Sequence, residues 1–335
     1  MHHLVRTLVP LRVHVLDIDL DACVTVRALK GATTAVGRTV TSDLLRGVAA
    51  ADVPLAAVNA DFFLFTPPGV PVGALVQDGR VIAGPIDRPV LAFDVNGRGS
   101  IGRLAVIGSI TSERGRVTIT SWNRPSAKTV GVVDAAWGQV LDSLTRPGAL
   151  RLAPLGAHRY RVETLTLSSV ALARGDTMIL VGSDQATIRE HDTVTVDIAL
   201  RPGMPANAVG GYPTLVSDGL VVPSVDSLGA VSFRGVNPRT AVGLAANGRR
   251  LLLVVIDGRQ DGHSVGTTTR ETAELLRDLG AREALNLDGG GSSAMVVRDA
   301  ASGLVHLVNK PSDAAGERPV ADALAVLGVC QKRPS

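Results

Sequence analysis

The stretch LNLDGGGSSAMVV, residues 285–297, limits what this chain can fold into more than any other part of it. An apolar run stops at Asp288, three glycines follow, and Ser292 and Ser293 lead into a second apolar run. We interpret 284–287 and 294–297 as two short buried strands. Asp288 then lies at the carboxyl end of a strand, where open α/β sheets usually bind ligands.

The glycines of this stretch, Gly289, Gly290 and Gly291, let backbone approach a ligand closely and leave N–H groups free to face an anion. The two serines add hydroxyl donors beside them. A carboxylate next to an anion-binding loop suggests chemistry on a phosphorylated or otherwise anionic group. The structural alternative is a tight glycine hairpin with a capping aspartate.

The composition excludes several classes of protein. With 335 residues, 45% of them hydrophobic, the chain can bury a large core. The sequence pI is about 9.2, yet acidic and basic residues are interspersed without a Lys/Arg run, so we predict no nucleic-acid partner. No apolar run reaches the roughly 18 residues of a membrane span.

The ends of the chain leave localisation and cysteine chemistry open. Residues 1–20 lack an intact secretory signal. The protein would be secreted or in the cell envelope if a leader has been removed, and cytoplasmic otherwise. Cys23 and Cys330 could pair if the terminal strands are neighbours, but we expect two buried thiols. The oligomeric state is not predicted.

Hairpin signals outnumber helical periods, so we predict an α/β (α+β) fold in which a strand-rich mixed sheet carries few helices. The pattern indicates one domain over 13–329, with tails at 1–12 and 330–335. Residues 107–200 are rich in strands and form either an inserted β subdomain or a continuation of the same sheets. Residues 13–20 and 24–29 read as paired strands joined by a short turn.

The closing third is a strand-helix-strand unit. Thr268 and Glu271 have the spacing of a capping box, and Ala273, Leu276 and Leu279 line one face of the helix that follows. If the strands on either side are parallel and adjacent, Asp257 and Asp288 lie at the same sheet edge.

Further polar residues follow other predicted strands. Asn59 and Asp61 come after the run 55–58, and Arg259 and Ser264 come after Asp257. Arg239 offers a planar fork suited to phosphate. Each of these residues could instead be a structural cap or a solvated residue. Taken by itself, His263 is interpreted as a structural residue.

A carboxylate mechanism is the simplest one left, because no activated serine or cysteine motif is present. Cleaving a glycosidic bond needs one carboxylic acid to protonate the leaving oxygen and a second carboxylate to activate water or form a glycosyl intermediate. Asp288 is the leading candidate, and Asp61 or Asp257 would be its partner.

Several motifs, in this order, resemble the phosphodiester glycosidase family: NADFF, GGYPTLVSDG, NPRTAVGL, the long block from LLVVIDGRQDGHSVG to LNLDGGGSSAMVV, and NKPSD followed by ERPVADALAV. The resemblance is dense over 239–326 and looser back to about residue 13. Ala60 stands where many relatives have glycine.

The resemblance implies which residues line the substrate site. Those expected to bind substrate or phosphate are Asn59, Arg239, Thr240, Arg259, Ser264, Gly289, Gly290, Gly291, Ser292, Ser293, Asn309 and Arg318.

The activity implied is a bacterial-type hydrolase that cleaves the glycosidic C–O bond of a sugar-1-phosphodiester, such as one of N-acetylglucosamine. The partner would be a small or polymeric glycosyl phosphodiester. The alternatives are a noncatalytic module that binds a phosphosugar or envelope polysaccharide, and a metal-assisted phosphodiesterase. No cofactor is required, although one divalent cation such as calcium on the aspartates stays open.

Overall fold

Four β-sheets dominate the part of the chain described by this computed structural model, which comprises residues 1–8, 10–49, 52–124, 129–138, 149–164, 177–182, 187–227 and 235–329.

The strands of the first half are β1 His2–Leu8, β2 Leu11–Asp19, β3 Val24–Lys30, β4 Val53–Asn59, β5 Leu75–Gln77, β6 Arg80–Ala83, β7 Pro89–Phe93, β8 Gly99–Arg103, β9 Ala105–Ser112, β10 Gly115–Ile119, β11 Ser121–Trp122, β12 Gly131–Val133, β13 Leu150–Gly156 and β14 Arg159–Thr164. Those of the second half are β15 Met178–Val181, β16 Thr193–Arg201, β17 Asn207–Gly210, β18 Thr214–Ser217, β19 Leu220–Val221, β20 Arg239–Ala245, β21 Arg250–Ile256, β22 Glu283–Asn286, β23 Met295–Arg298, β24 Val305–Leu307 and β25 Asp322–Gly328. The described helices are α1 Thr41–Arg46 and α2 Thr269–Asp278, with 3₁₀ turns at Ala246–Gly248 and Gly290–Ser292.

Two of the sheets position the candidate site. Sheet A has the order β1-β2-β21-β20-β22-β18-β19, and sheet B has the order β24-β23-β4-β25-β3. A third sheet runs β6-β5-β17-β7-β8, and an eight-stranded sheet runs β10-β9-β16-β14-β13-β15-β12-β11. Nearly all described pairs are antiparallel, and the parallel pair β11–β12 makes the fold mixed, as predicted.

Both faces of sheets A and B are covered, which explains their continuous apolar strands. In β21, Leu251 and Leu253 pack into a central core to which all four sheets contribute, whereas Leu252 and Val254 pack outward into a second cluster beneath α2. This follows from the two-residue period of a strand. In β25 the alternate residues likewise fill the central core and a cluster beside α1.

The helix predicted from its capping box is confirmed as α2. Thr268 caps it, with Thr268 Oγ1 accepting from the Glu271 backbone N–H at 3.2 Å and Glu271 Oε2 accepting from the Thr268 N–H at 2.7 Å. Ala273 and Leu276 are fully buried against sheet A. Neither described helix is long and apolar enough to span a bilayer.

One predicted strand pairing is wrong, and one adjacency that was considered as a condition is absent. β2 pairs with β1 and β21 in sheet A, whereas β3 pairs with β25 in sheet B, so the first two long strands are not a hairpin. β21 and β22 run in the same direction but are not adjacent, because β20 lies antiparallel between them. The conclusion drawn from that pairing still holds, since Asp257 and Asp288 follow the same ends of parallel strands.

The predicted tails, the strand-rich segment 107–200 and the two cysteines can each be compared with the structure. Residues 2–8, expected to be a tail, form β1 against β2, and 330–335 lie outside the described residues. The strands within 105–201 build the eight-stranded sheet around its own apolar cluster. Cys23 is exposed and disulfide-bonded rather than a buried thiol, while Cys330 lies outside the described part of the chain.

Candidate active site

The candidate site lies where one edge of sheet A meets one edge of sheet B. The loop 288–293 leaves β22 in sheet A and enters β23 in sheet B, so it connects the two sheets directly. Arg239 begins β20 and Asp257 follows β21 at the same edge of sheet A. Residues far apart in sequence therefore converge here.

Asn59 fixes this junction from within. Its Nδ2 donates to the Asp288 carbonyl oxygen at 2.6 Å, and its Oδ1 accepts from Thr240 Oγ1 at 2.7 Å and from the Ala294 N–H at 3.0 Å. Asn59 and Thr240 are fully buried. Both were predicted to bind substrate, and the structure places them behind the loop, where their contacts hold the two sheets together.

Asp288 faces a small open cavity, with its backbone N–H bonded to the Ala60 carbonyl oxygen at 2.8 Å. Burial raises the pKa of its carboxyl to about 7, against the opposing effects of the Ser292 hydroxyl and the positive charge of Arg318. The negative charge of Asp322 adds to the rise. At neutral pH Asp288 is thus present in both protonated and ionised forms, which suits a proton donor.

The cavity in front of Asp288 has a volume of about 190 Å³. It is lined by Asn237, Arg239, Arg259, Asp288, Gly289, Gly290, Gly291 and Arg318. Three guanidinium groups surround one carboxyl, and arginine matches phosphate oxygens with paired N–H donors. The structure thus brings together six of the predicted binding residues with Asp288.

Arg239 is the most deeply buried of the three arginines. Its Nε donates to the Thr267 carbonyl oxygen at 2.9 Å and its Nη2 to the Gly235 carbonyl oxygen at 2.7 Å. Burial, followed by the charge of Arg259, lowers its pKa to about 10, which still leaves the side chain charged at neutral pH. Its position in the cavity wall is therefore fixed.

Arg259 and Arg318 are held from opposite sides. Arg259 adopts a left-handed φ of 59° and donates from Nε and Nη2 to Asn237 Oδ1 at 3.1 and 2.7 Å. Arg318 makes a two-bond ion pair with Asp313, at 2.8 and 3.0 Å. A Cβ atom on Gly291 would collide with the side-chain ends of both Arg318 and Asp313, so a larger residue there would displace this ion pair.

The loop's backbone is less available to an anion than the sequence suggests. The N–H groups of Gly290, Ser292 and Ser293 donate to the carbonyl oxygens of Pro238, Gly289 and Gly290. The Gly289 N–H lowers the pKa of Asp288 by hydrogen bonding to its carboxyl. The positive charge that faces the cavity thus comes from the arginines, while most of the loop's N–H groups already have partners within the protein.

Asp257 is buried in a dense set of donors. Its Oδ2 lies 2.9 Å from His263 Nε2 and 3.5 Å from His14 Nε2, and its Oδ1 accepts from the Lys310 N–H at 3.0 Å and from Asn309 Nδ2 at 3.3 Å. Burial would raise the pKa of Asp257, but the two histidines outweigh it and the pKa is lowered. Asp257 thus stays ionised and orients His263, which is partly exposed.

The remaining predicted polar residues pack around Asp257 and the loop. Ser264 Oγ donates to the Asp257 carbonyl oxygen at 2.6 Å and accepts from the Arg12 N–H at 3.1 Å. Asn309 Nδ2 also donates to the Ser293 carbonyl oxygen at 3.1 Å. Ser264, Ser292 and Ser293 are almost fully buried, so the structure places them beneath the cavity.

Asp61 lies behind Asp288 and is buried with a carboxylate that sequence reasoning missed, Asp322. The Asp61 N–H donates to Asp322 Oδ1 at 2.7 Å, and Asp61 accepts from the N–H groups of Phe62 and Gly73 at 2.8 and 2.5 Å. Burial, then the charge of Asp322, raises the pKa of Asp61 well above its usual value. Burial raises the pKa of Asp322 to about 6.

The described residues contain no group of three or more His, Cys, Asp or Glu side chains arranged to hold a metal ion.

Comparison with known proteins agrees with the motif resemblance. The family model for phosphodiester glycosidase matches residues 159–327, just over half of the chain. The chain belongs to the phosphodiester glycosidase family. No curated protein matches the sequence.

Solved structures share the fold of this family member. A hypothetical protein from Synechocystis superposes with a TM-score of 0.74 at 22% identity, covering 97% of this chain and 61% of that one. A putative exported protein from Burkholderia pseudomallei gives 0.67 at 27% identity, covering 94% and 74%. The catalytic domain of zebrafish N-acetylglucosamine-1-phosphodiester alpha-N-acetylglucosaminidase, auto-inhibited by its pro-peptide, gives 0.52 at 15% identity, covering 94% and 76%. The chain thus spans less than two thirds of the length of the Synechocystis protein, and the likenesses at 22% and 15% identity show the fold alone.

Proposed function

We propose that the protein is a hydrolase that cleaves the glycosidic C–O bond of a sugar-1-phosphodiester, with N-acetylglucosamine as the first sugar to test. Membership of the phosphodiester glycosidase family supports a hydrolase acting on phosphodiester-linked sugars. One observation carries the finer proposal: Asp288, whose pKa is raised to about 7, faces a cavity lined by three arginines.

The phosphate would lie against the arginines and the sugar's anomeric carbon close to Asp288. Protonated Asp288 would donate its proton to the bridging oxygen as the bond from that oxygen to the sugar breaks. Water would add its hydroxyl to the anomeric carbon, so the products are the free sugar and a phosphomonoester.

The group that takes the proton from water would be His263, oriented by Asp257. Enzymes that use two acid–base groups hold their pKa values apart, and here burial raises the pKa of Asp288 while the pKa of Asp257 is lowered by its two histidines despite burial. The Asp257 oxygens already accept from protein donors, so Asp257 would act through the imidazole at 2.9 Å. Asp61, the other predicted partner, is almost fully buried and lies behind Asp288. Any effect of Asp61 on the reaction would therefore be exerted through Asp288.

The test is hydrolysis of sugar-1-phosphodiesters and nucleotide sugars in isotopically labelled water, followed by NMR and mass spectrometry of the products. We expect the label on the sugar's anomeric carbon. Label on phosphorus would establish a phosphodiesterase instead. Saturable binding of the same compounds without turnover, over the full pH range, would establish a phosphosugar-binding module.

A further inference from the structure

Asp322 is a buried carboxylate to which the proposed reaction assigns no role. It is the first residue of β25, is fully buried, and bonds to the backbone segment that supports Asp288. Its carbonyl oxygen accepts from the Ala60 N–H at 3.1 Å, and the Ala60 carbonyl oxygen accepts from the Asp288 N–H at 2.8 Å. Asp322 is therefore tied to Asp288 through a single residue.

Asp61 completes a buried pair with Asp322. The Asp61 N–H contacts Asp322 Oδ1 at 2.7 Å, and each side chain is at most 1% exposed. Within the described structure, Asp322 Oδ2 has no hydrogen-bond partner. The charge of Asp322 acts on the Asp61 carboxyl in this buried site, and the two carboxyls do not both ionise near neutral pH because each charge raises the free energy of the other.

Cations face the pair from two other elements. Lys30 of β3 stands opposite Asp322 in the strand register and donates from Nζ to the carbonyl oxygens of Gly37, Gly69 and Ala321 at 2.6, 2.7 and 2.9 Å. Burial lowers the pKa of Lys30 to about 8, and the charge of Asp322 opposes that fall.

Arg124, held by carbonyl oxygens that include Gly73 at 2.7 Å, favours ionisation of Asp61. Burial and the charge of Asp322 outweigh that effect, because the pKa of Asp61 is still raised well above its usual value. The pair thus keeps one proton and one negative charge while Lys30 remains charged.

We propose that Asp322 is a positioning residue that, together with Asp61, retains one proton and one negative charge behind Asp288 and so adds to the effect of burial, which holds Asp288 in its acid form. Buried protein rather than water lies between the negative charge and Asp288. The charge therefore raises the pKa of the Asp288 carboxyl more than it would through solvent. This proposal rests on the proposed role of Asp288 as the proton donor.

The deciding measurement is an NMR titration of the Asp288 carboxyl in protein labelled at the aspartate carboxyl carbons, with the Asp288→Asn variant to assign the signal. In Asp322→Asn we expect the Asp288 titration to move to lower pH by about 0.5 to 1 unit, the usual size of a nearby-charge effect. The amide oxygen can still accept from the Asp61 N–H, so the backbone contact survives. Asp322→Glu should restore the original titration.

The same variants are then assayed for the pH dependence of kcat/KM on an alkyl sugar-1-phosphodiester. Asp322→Asn should move the alkaline limb toward acid by the same amount, with little change in the rate at low pH. Asp17→Asn, at the far end of sheet A, is the matched control and should change neither profile.

The outcomes separate the two proposals. An Asp288 titration unchanged in Asp322→Asn overturns the role of Asp322 whatever the activity. A shifted titration in a protein that hydrolyses no phosphodiester supports the electrostatic coupling and rejects the proposed function. If Asp322→Asn does not fold, Asp61→Asn is measured in its place. It removes the protonated member and leaves Asp322 charged, so the Asp288 titration should stay where it is in the parent, and a shift to lower pH would overturn the proposal.

Discussion

The backbone N–H of Asp61 donates to Oδ1 of Asp322 at 2.7 Å, and this bond joins the end of β4 to the start of β25 directly behind Asp288. The site is therefore two layers deep. Arginines and Asp288 face the cavity, and two buried carboxylates lie behind them.

Replacing Asp288 with asparagine keeps its size but removes proton donation. We expect turnover to fall by at least about a hundredfold, the usual lower contribution of acid–base catalysis. Steady-state kinetics on a sugar-1-phosphodiester measures this, with circular dichroism to verify folding. A folded and fully active variant would mean that another group donates the proton.

Activity should decline as pH rises through about 7, because Asp288 loses its proton there.

The raised pKa of Asp288 also makes the stability of the protein depend on pH. Since burial raises the folded pKa of Asp288 above its ordinary value of 3.8 to about 7, stability is fully present below pH 3.8 and is lost as pH rises toward 7. Asp288→Asn should thus gain thermal stability relative to the parent between pH 5 and pH 8, to be measured by differential scanning calorimetry at about those two pH values. Parallel melting curves at all pH values would show that Asp288 has an ordinary pKa.

Arg239→Lys should weaken substrate binding by about tenfold to a hundredfold, because lysine cannot supply a planar pair of charge-assisted donors. The readouts are KM and inhibition by inorganic phosphate. Arg250→Lys is the control, since Arg250 also makes a two-bond contact, with Asp17, at the opposite end of β21. Equal losses in both variants would indicate a general effect on stability rather than a phosphate contact.

Gly291→Ala should force Arg318 and Asp313 apart, because the added methyl group collides with both. We expect kcat/KM to fall by about tenfold to a hundredfold, the cost of displacing a positioning group by about 1 Å. Gly102→Ala provides the comparison, since nothing lies within 4 Å of its added Cβ. If the two variants have the same kinetics, Arg318 does not touch the substrate.

His263→Gln tests the second acid–base group. We expect kcat to fall by about a hundredfold with a smaller change in KM, as for other general bases. His306→Gln, on the exposed strand β24, should leave both parameters unchanged. Unchanged kcat in His263→Gln would return the role of base to a carboxylate.

The sequence predicted the elements whose signals are local. The capping box at Thr268 and Glu271 identifies α2, and the break in apolar pattern at Asp288 identifies the loop between two buried strands, because caps and turns depend on residues within one helical turn or hairpin. The motif resemblance indicated Arg239, Arg259 and Arg318 as substrate-binding or phosphate-binding residues, and these three line the cavity.

Long-range pairing was beyond the sequence. β20 and β21 were predicted to form a hairpin, which the structure confirms, but both are apolar on both faces, so no alternation reveals that β22 pairs with β20. Asp322 opens an apolar strand without glycine, serine or a second acid beside it. The role proposed for Asp322 depends on its hydrogen bond with Asp61, which lies more than 250 residues earlier in the chain.

The pairing of β25 between β3 and β4 also has a consequence for synthesis on the ribosome. β3 and β4 emerge within the first 59 residues, while their shared partner begins only at residue 322. Until that last strand is translated, two apolar strand edges have no neighbour between them, and Asp61 has no buried carboxylate beside it. Those edges therefore stay open to pairing with other chains for most of the protein's translation, and the buried pair behind Asp288 forms only after β25 has left the exit tunnel.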